Sequence, residues 1–106
     1  MLQLEPVQTL TALADPTRRR IVEMLAERSL SSGEIAGRFS VTAPAVSQHL
    51  KVLRTARLVQ VRAEGQRRIY ELDRDGVQEL SDWVARIRLR WGHGLDTEVD
   101  LGNLQR

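Results

Sequence analysis

Residues 42–53 read Thr42-Ala43-Pro44-Ala45-Val46-Ser47-Gln48-His49-Leu50-Lys51-Val52-Leu53, and this stretch has two chemically different sides. Val46, Leu50 and Leu53 recur at helical spacing and predict the buried stripe of a helix over 43–55. Thr42 is placed to cap its free N–H groups, and Pro44 falls in the first turn, where a missing N–H matters least. Pro44, Ser47, Gln48, Lys51 and Thr55 share the opposite side, short or polar groups that point outward together.

Working upstream, Ser40-Val41-Thr42 is a turn, and Ser31 with Glu34 three positions on has the form of a capping box. It opens a short helix over 33–39 with Ile35, Ala36 and Phe39 inward. Two short helices a few residues apart, the second polar on its exposed face, make a helix-turn-helix candidate. Residues 29–32 read as a break. Before it, Asp15-Pro16 starts another helix, with Asp15 as cap and Pro16 at the first position. This helix runs over 16–27 and turns Ile21, Val22, Met24 and Leu25 inward. Leu4, Val7, Leu10 and either Leu13 or Ala14 recur at helical spacing and predict a first helix over 4–13.

Downstream, residues 58–62 and 67–72 are rich in β-branched and apolar side chains around the Gly-containing turn Ala63-Glu64-Gly65-Gln66, which predicts a two-stranded hairpin. Arg62, Arg67 and Arg68 lie near its tip. A basic hairpin directly after a helix-turn-helix is a wing, able to grip phosphates while the helix enters the adjoining major groove. Taken alone, the same arginines would be expected merely to keep a sheet edge soluble. The last helix is expected over 75–91. Val77, Leu80, Val84, Ile87 and Trp91 are spaced three, four, three and four, the seam of a coiled coil, and Trp83 widens the stripe. Covering the small core is one use for that stripe. Its two tryptophans and four aliphatics favour a seam between two copies, with Leu4, Val7 and Leu10 of the first helix packed beside it.

The fold class expected is therefore mainly α with a small β-hairpin: a winged helix-turn-helix of about five helices and a two-stranded wing. One domain over 1–94 would be followed by an acidic tail over 95–106. At 106 residues, 42% hydrophobic and 28% charged, the chain has one modest core's worth of sequence and an ordinary globular balance. The absence of cysteine excludes disulfides, thiolate metal sites and cysteine nucleophiles. No apolar run nears the roughly 20 residues of a membrane span, and the first residues lack the pattern of a secretion signal, so a cytoplasmic protein without a membrane partner is expected. Charge is informative once localised. Between Ile35 and Tyr70 the seven bases Arg38, Lys51, Arg54, Arg57, Arg62, Arg67 and Arg68 meet only Glu64, a net +6 in a chain whose total is +2. Such clustering is the footprint of a polyanion-binding face, although an Arg-rich solvated surface would look similar.

Taken in order, Leu13-Ala14-Asp15-Pro16-Thr17-Arg18-Arg19-Arg20-Ile21, Ser32-Gly33-Glu34-Ile35-Ala36, the 42–53 stretch, Leu58-Val59 and the hairpin ending Tyr70-Glu71-Leu72 resemble the ArsR (arsenic-repressor-like) family of bacterial winged helix-turn-helix regulators. The match spans about residues 7–75. The resemblance implies a homodimer joined through its first and last helices that binds an inverted-repeat operator in double-stranded DNA and represses transcription. It assigns Thr42, Ala43, Pro44, Ser47, Gln48 and His49 to the recognition helix and Arg62, Arg67 and Arg68 to the wing. Gln48 is the candidate for a base edge, since an amide donates and accepts together at adenine. Thr42, Ser47 and Lys51 are expected at phosphates.

The chain also departs from that pattern. Ala36 and Arg38 stand where several relatives carry metal-binding cysteines, and Asp75, Asp82 and Arg86 stand where others use Asp, His and Glu. Neither Ala nor Arg offers a lone pair to a metal, so no metal and no cofactor is expected at those places. Arg57 occupies a position often held by glycine. His49 is expected to pack or to touch phosphate rather than act as a ligand or base. His93 with Asp96, Glu98 and Asp100 reads as part of a tail rather than an ion site. With no nucleophile–base pair and no phosphate-cradling glycine loop, an enzyme is not expected. The competing reading is a winged-helix module whose basic face meets an acidic protein.

Overall fold

The computed structural model describes residues 7–92; Leu4 and the expected tail over 95–106 lie outside them. Eight elements follow in order: α1 (Val7–Leu13), α2 (Pro16–Glu27), β1 (Leu30–Ser31), α3 (Ser32–Ala36), α4 (Ala43–Thr55), β2 (Val59–Glu64), β3 (Arg67–Leu72) and α5 (Arg74–Arg90). Helix starts follow the expected caps. Asp15 accepts from the N–H of Arg18, with Pro16 opening α2. Ser31 and Glu34 form a complete capping box: the Ser31 side chain accepts from the Glu34 N–H, and the Glu34 carboxylate accepts from the Ser31 N–H. Thr42 Oγ1 accepts from the Ala45 N–H. At α5 the cap is Asp73, which accepts from Asp75 and Gly76, so the helix begins one residue before its expected start and ends at Arg90. Helix α3 is shorter than expected, since Phe39 lies beyond its end and packs half-buried on the core.

The sheet differs from the expectation of two strands. Residues Leu30 and Ser31, read from sequence as part of a break, form a third strand whose partners in β3 are Tyr70 and Ile69, giving the order β1-β3-β2. Two residues are too few to show an alternating pattern, and Ser31 serves at once as strand and as cap of α3. The hairpin turn is also tighter than expected. Glu64 pairs with Arg67, leaving Gly65-Gln66 as a two-residue loop with Gly65 at φ 65°, a conformation that favours glycine.

Ile21, Leu30, Ile35, Val46, Leu50, Leu53, Leu58 and Val59 are the large, fully buried side chains, and Met24, Leu25 and Tyr70 join them in one cluster. Each element contributes an apolar stripe too narrow to be buried alone, so the helices and the sheet close on a shared centre. Helix α4 is fixed through Val46, Leu50 and Leu53, which leaves its other side outward.

The exit from α4 fixes where α5 starts. Arg57 adopts φ 63° and keeps the left-handed cap in spite of its side chain. The Leu58 N–H bonds to Leu53 O at 3.0 Å and the Arg57 N–H to Arg54 O at 2.9 Å, the paired bonds of a Schellman cap. Gly76 packs directly on this cap: a Cβ added there would lie 1.5 Å from Arg57 O. The Asp73 N–H reaches Leu58 O at 2.9 Å, and Arg57 Nη1 donates to Glu79 Oε2 at 2.8 Å. The end of α4 and the start of α5 thus meet backbone to backbone.

Candidate nucleic-acid interface

The exposed side of α4 carries Ala43, Pro44, Ser47, Gln48, Lys51 and Thr55. Lys51 and Thr55 border two grooves at once, one of about 300 Å³ toward α1 and one of about 480 Å³ toward β2. They therefore stand on the crest of the helix, with Gln48 on the α1 side and Arg54 on the wing side. Arg54 and Gln60 line the wing-side groove; from sequence Arg54 counted only toward the clustered charge and Gln60 not at all, although Arg54 lies three positions beyond Lys51 and so on a neighbouring strip of the helix.

His49 does not join that crest. Its ring is half-buried, with Nδ1 3.3 Å from Arg18 Nη1 and 4.0 Å from Asp15 Oδ2. The Arg18 Nε donates to Ala12 O at 2.7 Å, so one guanidinium joins the end of α1, the start of α2 and the middle of α4. Thr42 is committed as a cap through its oxygen, which leaves its O–H to donate. The carboxyl of Asp15 is held below its ordinary value, chiefly by the Arg18 N–H and further by His49 and Arg18 as nearby charges.

On the wing, carboxylates meet two of the three arginines. Arg62 Nε lies 3.4 Å from Glu71 Oε1 and its Nη1 3.5 Å from Glu64 Oε2. Arg67 Nη2 lies 3.5 Å from Glu34 Oε1, reaching back to α3. Glu71 also accepts from Gln60 Nε2 at 2.8 Å and Ser29 Oγ at 3.2 Å. Its carboxyl is held below the ordinary range first by Gln60 and then by Arg62 and Ser29. For Arg68, no carboxylate lies within 4.0 Å among the described residues.

Residues expected at a seam between copies divide into two groups. Val77 and Leu80 pack half-buried on the core, as they would in a monomer, and Trp83 is half-buried. Beyond them α5 is bare: Val84 and Ile87 are exposed and Trp91 is 63% exposed, while Val7 and Leu10 of α1 are exposed as well. Leu89, at 79% the most exposed large apolar side chain of the described residues, falls outside the three-four spacing and was missed for that reason.

A family model described as bacterial regulatory protein, arsR family, matches residues 15–61. The HTH-type transcriptional regulator Rv2034 of Mycobacterium tuberculosis is 56% identical over 99 residues, covering 90% of this chain and 92% of its own. Transcriptional repressor SdpR of Bacillus subtilis is 33% identical over 76 residues, 72% of this chain and 84% of that one. Among solved structures, the crystal structure of a possible transcriptional regulator for arsenical resistance superposes with a TM-score of 0.67 at 37% identity, covering 74% of this chain and 82% of that one. Relatives and family model alike are regulators rather than enzymes. With a polar recognition helix flanked by an arginine-bearing wing, the chain belongs to the arsR family of winged-helix, DNA-binding transcriptional regulators.

Proposed function

We propose that two copies associate through α1 and α5 and act in the cytoplasm as a repressor on an inverted-repeat operator. Each α4 enters a major groove and each β2–β3 wing lies on the flanking backbone. The observation that carries this reading is the bare apolar run Val84, Ile87 and Trp91 at the end of a helix that leaves the core after Leu80. An apolar strip of this size is ordinarily covered by a partner, and Val7 and Leu10 add to it. The polar crest of α4 supports the DNA half of the proposal. Ala43 and Pro44 are short enough to let the first turn approach the bases, Gln48 is the base-reading group, and Thr42, Ser47 and Lys51 meet phosphates. His49 sits behind them as support.

Fluorescence anisotropy with the chain's own upstream duplex at several salt concentrations tests it. Backbone binding predicts log K falling linearly with log salt, with a slope of about −0.9 per phosphate neutralised. Failure to bind any upstream duplex in low salt would reject the proposal.

A further inference from the structure

In an antiparallel pair, directly opposite side chains share a face and successive ones alternate. The register of β2 and β3 therefore sorts the wing. Val59, Val61, Ala63, Arg68, Tyr70 and Leu72 lie on one face, and Gln60, Arg62, Glu64, Arg67, Ile69 and Glu71 on the other. The first face is the one that packs on the core shared with α4: Val59 and Tyr70 lie in a buried cluster with Leu50 and Leu53, and Val61 and Leu72 lean on it, whereas on the second face Ile69 alone is buried. Arg68 is thus the tip cation on the side where α4 lies. Lys51 and Arg54 border the groove between that helix and β2.

The other face differs in charge. Arg62 and Arg67 are matched there by Glu64, Glu71 and, from α3, Glu34, so acids outnumber bases. Exposed ion pairs of 3.4–3.5 Å are weak and give way to competing charges. Pairing alone would therefore not keep these two arginines from a phosphate, but the side of the sheet on which they stand would.

Resting on the reading of the wing as a backbone clamp, we infer that its two faces have separate tasks. Arg68 is the wing residue that neutralises a DNA phosphate. Arg62 and Arg67 are positioning residues, the latter a strut from the wing to Glu34 of α3. This narrows the three wing arginines singled out from sequence to one contact.

The test is the salt dependence of binding to a duplex of arbitrary sequence, where only backbone contacts count. Arg68→Gln should make the slope of log K against log salt shallower by about 0.9 for each wing engaged, and Arg68→Lys should restore it. Arg62→Gln, Arg67→Gln and Glu34→Gln should keep the wild-type slope, with melting curves showing each variant folded. A slope lost equally in Arg67→Gln and Arg68→Gln, or unchanged in Arg68→Gln, overturns the inference. So does a steeper slope in Glu34→Gln, which would mean that the carboxylate merely masks Arg67. If the wild type itself showed no salt-dependent binding, the reading of the wing as a clamp would fail and the division of its faces with it.

Discussion

Arg18 Nη1 stands 3.3 Å from Nδ1 of His49, so the start of α2 holds the middle of the recognition helix by a side chain that also caps the end of α1. A guanidinium has only donors, so this contact is a hydrogen bond in the tautomer whose Nδ1 carries the lone pair. His49→Ala removes that acceptor and is expected to lower stability by about 1 kcal/mol in urea unfolding. On the proposed reading the ring supports the helix rather than reading bases, so affinity should fall by the same factor on specific and arbitrary duplexes. A loss confined to the specific duplex would place His49 at a base edge.

Acid should weaken the fold through three carboxyls. Asp15 is held below its ordinary value chiefly by the Arg18 N–H, Glu34 chiefly by the Ser31 N–H, and Glu71 chiefly by Gln60. A depressed folded value means stability that is present above the unfolded value and is lost as pH falls through the folded one. Melting temperature should be level from neutrality down to about pH 5 and fall below it. Glu34→Gln keeps the capping geometry but removes one titrating group, so its decline should be shallower. An equal decline would mean that Glu34 contributes nothing.

Gly76→Ala is expected to destabilise the fold in spite of alanine's better helix propensity, worth about 1 kcal/mol. The added Cβ would meet Arg57 O at 1.5 Å, a backbone atom that no side-chain rotation can move away, so α5 must shift off the cap of α4. A loss of at least about 2 kcal/mol in urea unfolding is expected. A neutral or stabilised variant would show that α5 does not sit on that cap in solution.

Ile87→Asp should yield monomers in sedimentation, because a charge would be buried without a partner between the two α5 helices. Ile87 is the cleaner site for this substitution than Leu80, which also packs on the core of its own chain. A dimer that persists with Asp at position 87 would move the contact between copies elsewhere.

Much of this was legible in the sequence because single elements announce themselves. The caps at Asp15, Ser31 and Thr42 and the stripe Val46, Leu50 and Leu53 each rest on residues within a turn or two of one another. What escaped depends on distant partners. Strand β1 exists because Tyr70 and Ile69 lie alongside Leu30 and Ser31. Gly76 matters because of a carbonyl in another element, and Arg18 because of His49. Arg57 looked out of place where glycine is common, yet the Schellman bonds and the ion pair to Glu79 accompany its left-handed backbone. The three wing arginines were equivalent by charge, and only the strand register separates them.

Hydroxyl-radical footprinting of the upstream duplex tests most directly whether two recognition helices act as a pair. The account predicts two protected half-sites of inverted sequence whose centres lie one helical turn apart, about 10–10.5 base pairs. Protection of a single half-site, or of two blocks out of phase with the helical repeat, would contradict it.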